Sequence, residues 1–281
     1  MLVAMQNLVA FYEAKTDAIL RRYGPGPRVH YHTGLLDEPP PSGASAQLLR
    51  RRLIDAQERT LRYAAGLWQA QSTLCGDLLD VGCGLGGGSI FWAQEFGANV
   101  TAVTIAPSHI ELVAEFAERA GVASRVRPLL CDALGVPGES CFDAAIAIDS
   151  SSSFPRGPWF RRLARLLRPG GHAFIFDCFL ERDEYRGPFD RHWCSQIGTI
   201  DEYLAAAREA NFVVEGIEDV SSRAVHFWST TLALMRTEAQ ERCVSSAQAA
   251  DLAESLRIHA LVRRGLLEGG LRHALLSFVK D

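Results

Sequence analysis

Leu78-Leu79-Asp80-Val81-Gly82-Cys83-Gly84-Leu85-Gly86-Gly87-Gly88-Ser89 lies after a polar turn, Cys75-Gly76-Asp77, and before the helical pattern Ile90-Phe91-Trp92-Ala93. The apolar run Leu78 to Val81 is long enough for one buried parallel strand. A strand that turns through glycines into a helix gathers bare backbone N–H groups and a helix N-terminus at one point. No Cβ keeps a ligand away from that backbone. The stretch therefore predicts a nucleotide-type cradle. Its spacing Gly82-x-Gly84-x-x-Gly87 satisfies the dinucleotide fingerprint. Two features oppose a dinucleotide. The next apolar strand, residues 99–105, reaches Thr104 where that fingerprint expects an acid for a ribose hydroxyl. Asp80, two residues before the first glycine, would repel a pyrophosphate and suits a cationic ligand.

Outward from the cradle, strand and helix patterns alternate. Strands are predicted at 125–130, 142–149, 172–179 and 211–220, with helices at 107–120, 159–167 and 199–210 between them. Thr199 is placed to cap the last of these helices, with Asp201 and Glu202 at its positive end. Helices are also predicted at 47–73, about 225–240 and 246–267. After Gly269-Gly270 a strand at 271–279 ends the sequence as an antiparallel edge. This pattern is α/β: a doubly wound, Rossmann-like sheet with a final antiparallel strand and ligands at the strand C-termini.

With Asp80 and the Gly82-Cys83-Gly84 turn, the opening stretch resembles motif I of the class I S-adenosylmethionine-dependent methyltransferases. Thr104-Ile105-Ala106-Pro107-Ser108-His109 resembles the Thr-Ile-Ser-Pro-x-Gln pattern of a subgroup that includes cyclopropane-forming, sterol, tocopherol and natural-product enzymes, with Ala106 for Ser and His109 for Gln. Cys131-Asp132-Ala133 resembles the family's adenine-binding motif, and Arg168-Pro169-Gly170-Gly171 its turn before the fifth strand. The resemblance implies S-adenosyl-L-methionine as cofactor and S-adenosyl-L-homocysteine as product. It implies a donor site of Asp80, Gly82, Gly84, Thr104, Ile105, His109, Asp132, Ala133 and Asp149. The Asp149-Ser150-Ser151-Ser152-Ser153 strand end, which the transferred methyl faces in the family, lacks the motifs of amino-group, pyrimidine-C5 and magnesium-dependent catechol methylation. No metal site is expected.

Size and charge narrow the partners. The 281 residues carry a net charge of −4, so no basic field draws nucleic acid. The cysteines at 75, 83, 131, 141, 178, 194 and 243 form no C-x-x-C pair. Glu13, Lys15 and Asp17 break the apolar start, no basic n-region precedes it, and no long apolar run occurs, so a cytosolic protein without a membrane span is expected.

Residues 1–46 are expected to form an N-terminal helix and a hinge or lid segment, and residues 47–281 the catalytic domain. The helix over 2–22 presents Leu8, Tyr12 and Ile19 on one face and must end at Tyr23-Gly24-Pro25-Gly26-Pro27. It either packs on its own domain or serves as a lid or as an arm exchanged in a homo-oligomer. His32-Thr33-Gly34 resembles the His-x-Gly turn ahead of the core in small-molecule methyltransferases, where this segment folds over cofactor and acceptor. A second irregular segment, about 179–198, is expected to shape the acceptor pocket. Aromatic residues in these segments, Tyr31, Phe154, Phe179, Phe189 and Trp193, together with Tyr23, Trp159, Tyr185 and Tyr203, suit a hydrophobic small molecule and can stabilise a carbocation. His32, His192, Asp177 and Tyr23 are the candidates to accept the proton that must leave, although for each taken singly a structural role is the commoner explanation. The sequence is similar to natural-product methyltransferases that include the teleocidin-type prenyl C-methyltransferases. That resemblance implies C-methylation of a prenyl alkene with cation rearrangement or cyclisation. O-methylation of a polyketide or related metabolite, and cyclisation with the cofactor kept as structure, stay open.

Overall fold

A computed structural model describes residues 2–241 and 246–281, so Cys243 lies outside the described residues. The fold begins with α1 (Leu2–Tyr23), α2 (Ala46–Leu67) and the short α3 (Ala70–Thr73). Alternation then follows: β1 (Asp77–Val81), α4 (Gly87–Phe96), β2 (Asn99–Thr104), α5 (Pro107–Arg119), β3 (Val126–Leu130), β4 (Phe142–Ile148), α6 (Arg156–Leu166) and β5 (Leu167–Leu180). The last part contains α7 (Arg186–Trp193), α8 (Ile200–Glu209), β6 (Phe212–Asp219), α9 (Ser221–Glu241), α10 (Ser246–Leu267) and β7 (Leu271–Lys280).

The strands form one sheet in the order β3-β2-β1-β4-β5-β7-β6, parallel except for β7, which runs antiparallel to both neighbours. The order reverses between β1 and β4, and ligand crevices open at such a point in a doubly wound sheet. Side chains alternate along β1. Leu79 and Val81 join the core under α6 and α8, while Leu78 and Asp80 face the side carrying α2, α4 and α5. This alternation brings the Asp80 carboxylate to the first turns of α4.

Several elements differ from the sequence-based expectations. β7 is not an edge strand: it lies between β5 and β6, with a run of buried residues that serves both faces. The edge on this side is β6, where half-buried and exposed residues alternate after the buried Phe212. Residues 180–197 are not irregular throughout, since a 3₁₀ turn at Asp183–Tyr185 leads into α7. The helix expected over 47–73 breaks at Gln69, whose φ of 52° is left-handed. α8 has the expected cap: Thr199 Oγ1 accepts the Glu202 N–H, and the Glu202 carboxylate accepts the Thr199 N–H.

α1 lies against the rest of the protein. The Ser108 N–H and hydroxyl donate to Glu13, and Arg22 and Arg50 converge on Glu238 of α9. Among the described residues, no helix is long and apolar enough to cross a membrane.

Candidate active site

A cavity of about 690 Å³ opens at the C-terminal ends of β1, β2, β4 and β5. Its donor side is the glycine turn. Gly82, Gly84 and Gly86 have left-handed φ of 79°, 54° and 79°, which side chains rarely adopt. A Cβ on Gly82 would strike Ser150, and one on Gly87 would meet the Val29 carbonyl and His30. A Cβ on Gly84 would meet nothing within 4 Å, so this backbone faces open space where a ligand can lie against it. Asp80 is buried, and its Oδ2 accepts the Ser89 hydroxyl at 2.5 Å. Burial pushes its pKa up to about 6, against the opposing Ser89 bond.

At the end of β2 the Thr104 hydroxyl oxygen accepts the Ala106 N–H at 3.2 Å, and Ile105 follows on the cavity wall. Past β3, Asp132 Oδ1 accepts the Leu134 N–H at 2.8 Å, with Ala133 buried beside it. His109 also lines the cavity, although α1 occupies one of its nitrogens: Nε2 lies 3.0 Å from Thr16 Oγ1, and Nδ1 lies 3.5 Å from Thr104 Oγ1. Burial lowers its pKa. These groups fit S-adenosylmethionine. An open backbone turn, a buried carboxylate with a single hydroxyl partner, and a half-buried acid at the end of β3 offer places for a cationic head and an adenosine.

The acceptor side is built around Asp149, directly after β4, at a left-handed φ of 45°. Its N–H donates to the Phe176 carbonyl at 2.7 Å, and its Oδ2 accepts the Thr33 N–H at 2.5 Å. Burial would raise its pKa, but His273, Thr33 and His32 outweigh that and hold it below the usual carboxylate range. Asp177 behaves in the opposite way. Burial and the Asp149 charge push it up to about 6, although it accepts hydrogen bonds from the Ser151 hydroxyl and the Ser152 and Cys178 N–H groups.

The His30–Gly34 segment closes over this end. Gln57 Nε2 donates to the carbonyls of His30 and His32, and the Thr60 hydroxyl to that of Thr33. Gly34 is required because a Cβ there would fall 2.6 Å from both Ala56 and Phe227. His32 Nδ1–H donates to the Thr33 carbonyl at 3.0 Å, which leaves Nε2 without a partner. Burial and the neighbouring His30 lower the His32 pKa to about 4.

The cavity also brings together Tyr23, Tyr31, Phe154, Phe189 and Trp193. Tyr12, Phe227, Trp228 and His259 join them, having given no signal in the sequence beyond helical periodicity. Trp193 and Trp228 meet edge to face with ring centroids 6.1 Å apart, and His259 lies 5.2 Å from Trp228. Other expected residues lie elsewhere. Phe179 is fully buried against Tyr203, 5.1 Å between centroids, because β5 alternates and turns it toward α8. Trp159, Tyr185 and Tyr203 are core residues. His192 does not line the cavity: it precedes Trp193 on α7, so helical rotation turns it away, and burial lowers its pKa to about 4.

His273 of β7 does line the cavity, although the sequence placed it only in a strand. Its ring is 1% exposed, with Nε2 3.1 Å from Asp149 Oδ1.

The sequence matches the family described as methyltransferase domain over residues 78–171. It is 32% identical over 183 residues to 27-O-demethylrifamycin SV methyltransferase of Amycolatopsis mediterranei (strain S699), spanning 62% of this chain and 67% of that protein. It is 27% identical over 214 residues to geranyl diphosphate 2-C-methyltransferase of Streptomyces lasalocidi, spanning 71% and 70%. Among solved structures, geranyl diphosphate methyltransferase in complex with GPP and sinefungin superposes with a TM-score of 0.82, at 18% identity over 99% of this chain and 100% of that one. The [4+2]-cyclase SpnF superposes with a TM-score of 0.77, at 23% identity over 99% and 97%. At such identities these two show the fold alone. The rifamycin relative, the matched domain and a cradle that fits the methyl donor together place this protein in the class I S-adenosylmethionine-dependent methyltransferases of natural-product type.

Proposed function

We propose that the protein transfers a methyl group to an alkene carbon of a prenyl or terpenoid acceptor, with rearrangement or cyclisation of the resulting cation. The observation that carries this reading is the aromatic cluster of Phe189, Trp193 and Trp228, which lines the same cavity as Asp149 and the glycine turn. Ring faces attract a cation through their quadrupoles while offering it no lone pair that would quench it. The similarity to a geranyl diphosphate 2-C-methyltransferase supports the same reading.

The cofactor, when bound, supplies an electrophilic methyl for in-line displacement. The protein contributes chiefly position. Gly84 would admit the donor against bare backbone, Gly82 keeps the turn close to Ser150, and Asp80 would offer the donor's cationic head a counter-charge. Thr104, Ile105 and His109 stand on the ribose side, and Asp132 with Ala133 on the adenine side. The His30–Gly34 segment and α1 close the cavity and keep water from a reactive cation.

One observation favours a second reading, O-methylation of a hydroxylated metabolite: His32 Nε2, Asp149 Oδ1 and both ring nitrogens of His273 are buried without hydrogen-bonding partners, and they could hold a hydroxyl. The experiment is product analysis by mass spectrometry and NMR, using methyl-labelled donor with prenylated and hydroxylated acceptors. Label on carbon, with a gain of one CH₂, supports the first reading. Label on oxygen supports the second, and conversion without a mass change would mean a cyclase that keeps the cofactor as structure.

A further inference from the structure

The candidates that the sequence offers for the departing proton are compromised by their surroundings. Tyr23 is a buried phenol whose pKa burial raises, so it holds its own proton. Asp177 already accepts the Ser151 hydroxyl and the N–H groups of Ser152 and Cys178. His32 has a free Nε2, but its nearest ring is His30, 5.2 Å away between centroids, and that neighbour opposes a positive charge. His192 is off the cavity.

His273 has none of these handicaps. β7 fixes its backbone between two strands: its N–H donates to the Ser221 hydroxyl at 2.9 Å, its carbonyl accepts the Val220 N–H, and it pairs in register with Cys178. Phe176 packs on its ring at 4.5 Å between centroids. Asp149 Oδ1 lies 3.1 Å from Nε2, within ion-pair distance yet without the alignment of a hydrogen bond. Both ring nitrogens and that carboxylate oxygen are buried and unpartnered. Groups of this kind are normally satisfied in a folded protein, so their clustering on a ligand cavity marks a place where something else completes them.

We propose that His273, backed by Asp149, is the base that takes up the proton lost by the methylated acceptor. The inference rests on the methyl-transfer reading above and holds for transfer to carbon or to oxygen. With a prenyl acceptor, the new C–C bond forms as the methyl–sulfur bond breaks, and the donor leaves as a neutral thioether. A C–H bond beside the resulting cation then breaks. Its electron pair closes a double bond, its proton moves to a ring nitrogen of His273, and the Asp149 carboxylate balances the imidazolium. The proton passes to water when the product leaves. With a hydroxyl acceptor the same nitrogen takes the O–H proton, and the oxygen pair forms the bond to methyl. A neutral imidazole that turns an N–H toward Asp149 keeps its other nitrogen as an acceptor, and an oriented base of this kind contributes about 10²–10⁴-fold.

The test compares wild type with His273→Gln, His273→Ala and Asp149→Asn, using labelled donor and an acceptor that wild type methylates. Binding of S-adenosylhomocysteine and thermal unfolding report on folding independently of turnover. The expected result is a kcat lowered about 100-fold or more in His273→Gln with donor binding kept. Added imidazoles should restore turnover in His273→Ala, more strongly as their basicity rises, because a base responds to basicity and a space-filler responds to shape. The double variant His273→Gln with Asp149→Asn should be no slower than His273→Gln alone, as for residues acting as a unit. Folded His273→Gln that turns over like wild type overturns the proposal, as does rescue of His273→Ala that ignores basicity. If wild type transfers no label to any acceptor, the proposed function itself fails, and that outcome is seen before any variant is compared.

Discussion

The Thr33 backbone N–H donates to Oδ2 of Asp149 at 2.5 Å, across 116 residues of sequence. One carboxylate thus holds the segment that closes the cavity and, through its other oxygen, faces His273. The two roles can be separated. Asparagine tolerates the left-handed backbone and keeps an oxygen for Thr33, so Asp149→Asn should unfold near the wild-type temperature. Asp149→Ala leaves the Thr33 N–H unpaired and should lose about 1–3 kcal/mol. Thermal unfolding of the two variants side by side checks this.

Donor affinity should depend on pH through Asp80. Burial raises its folded pKa to about 6, so below that pH the carboxylate is neutral and the cationic donor loses its counter-charge. Calorimetric titration with S-adenosylmethionine should show weaker binding at pH 5.5 than at pH 7.5, with the difference flattened in Asp80→Asn. For the ligand-free protein the sign is opposite. A raised pKa gives stability that is complete below the unfolded value and lost as pH rises through about 6, so charged Asp80 weakens the empty fold at neutral pH.

The glycines of the turn should fail in different ways. Gly84→Ala adds a methyl to open space and costs about 1–2 kcal/mol of backbone strain, so the protein folds but binds donor poorly. Gly87→Ala drives a methyl into the Val29 carbonyl and His30, so α4 and the closing segment must part. A larger drop in melting temperature for Gly87→Ala than for Gly84→Ala, measured without ligand, is the expected outcome.

His192 and Trp193 are sequence neighbours with different surroundings. His192→Gln should leave turnover and product pattern unchanged. Trp193→Leu removes part of the aromatic cluster and should change the ratio of products more than it changes donor binding, as chromatography of the product mixture would reveal.

The donor half of the site is readable in the sequence because its residues follow their strands directly. Asp80, Thr104 and Asp132 each sit at or just after the C-terminal end of a parallel strand, where a doubly wound sheet gathers its ligands, and Asp149, counted with them from the sequence, follows β4 in the same way but carries the contacts to Thr33 and His273. The acceptor half depends on rotation and register. His192 and Trp193 differ by one helical step, and Phe179 by one pleat from the strand face that turns Phe176 toward His273, so composition could not say which faced the cavity. His273 was hidden more deeply. Within Leu271-Arg272-His273-Ala274-Leu275-Leu276 it reads as one polar residue in a strand. Only the insertion of β7 between β5 and β6, with His273 opposite Cys178, takes it to Asp149.

That insertion also sets an order of assembly. A growing polypeptide holds every strand of the donor cradle well before β7 exists, and pairing β7 with β5 joins Ala173 to Phe278 across much of the sequence. Contacts so distant in sequence form slowly, because a long loop must close before they are rewarded. The donor half can therefore take shape while the acceptor half still lacks His273, and a strand made after all those of the donor cradle is the one that completes the reaction chamber.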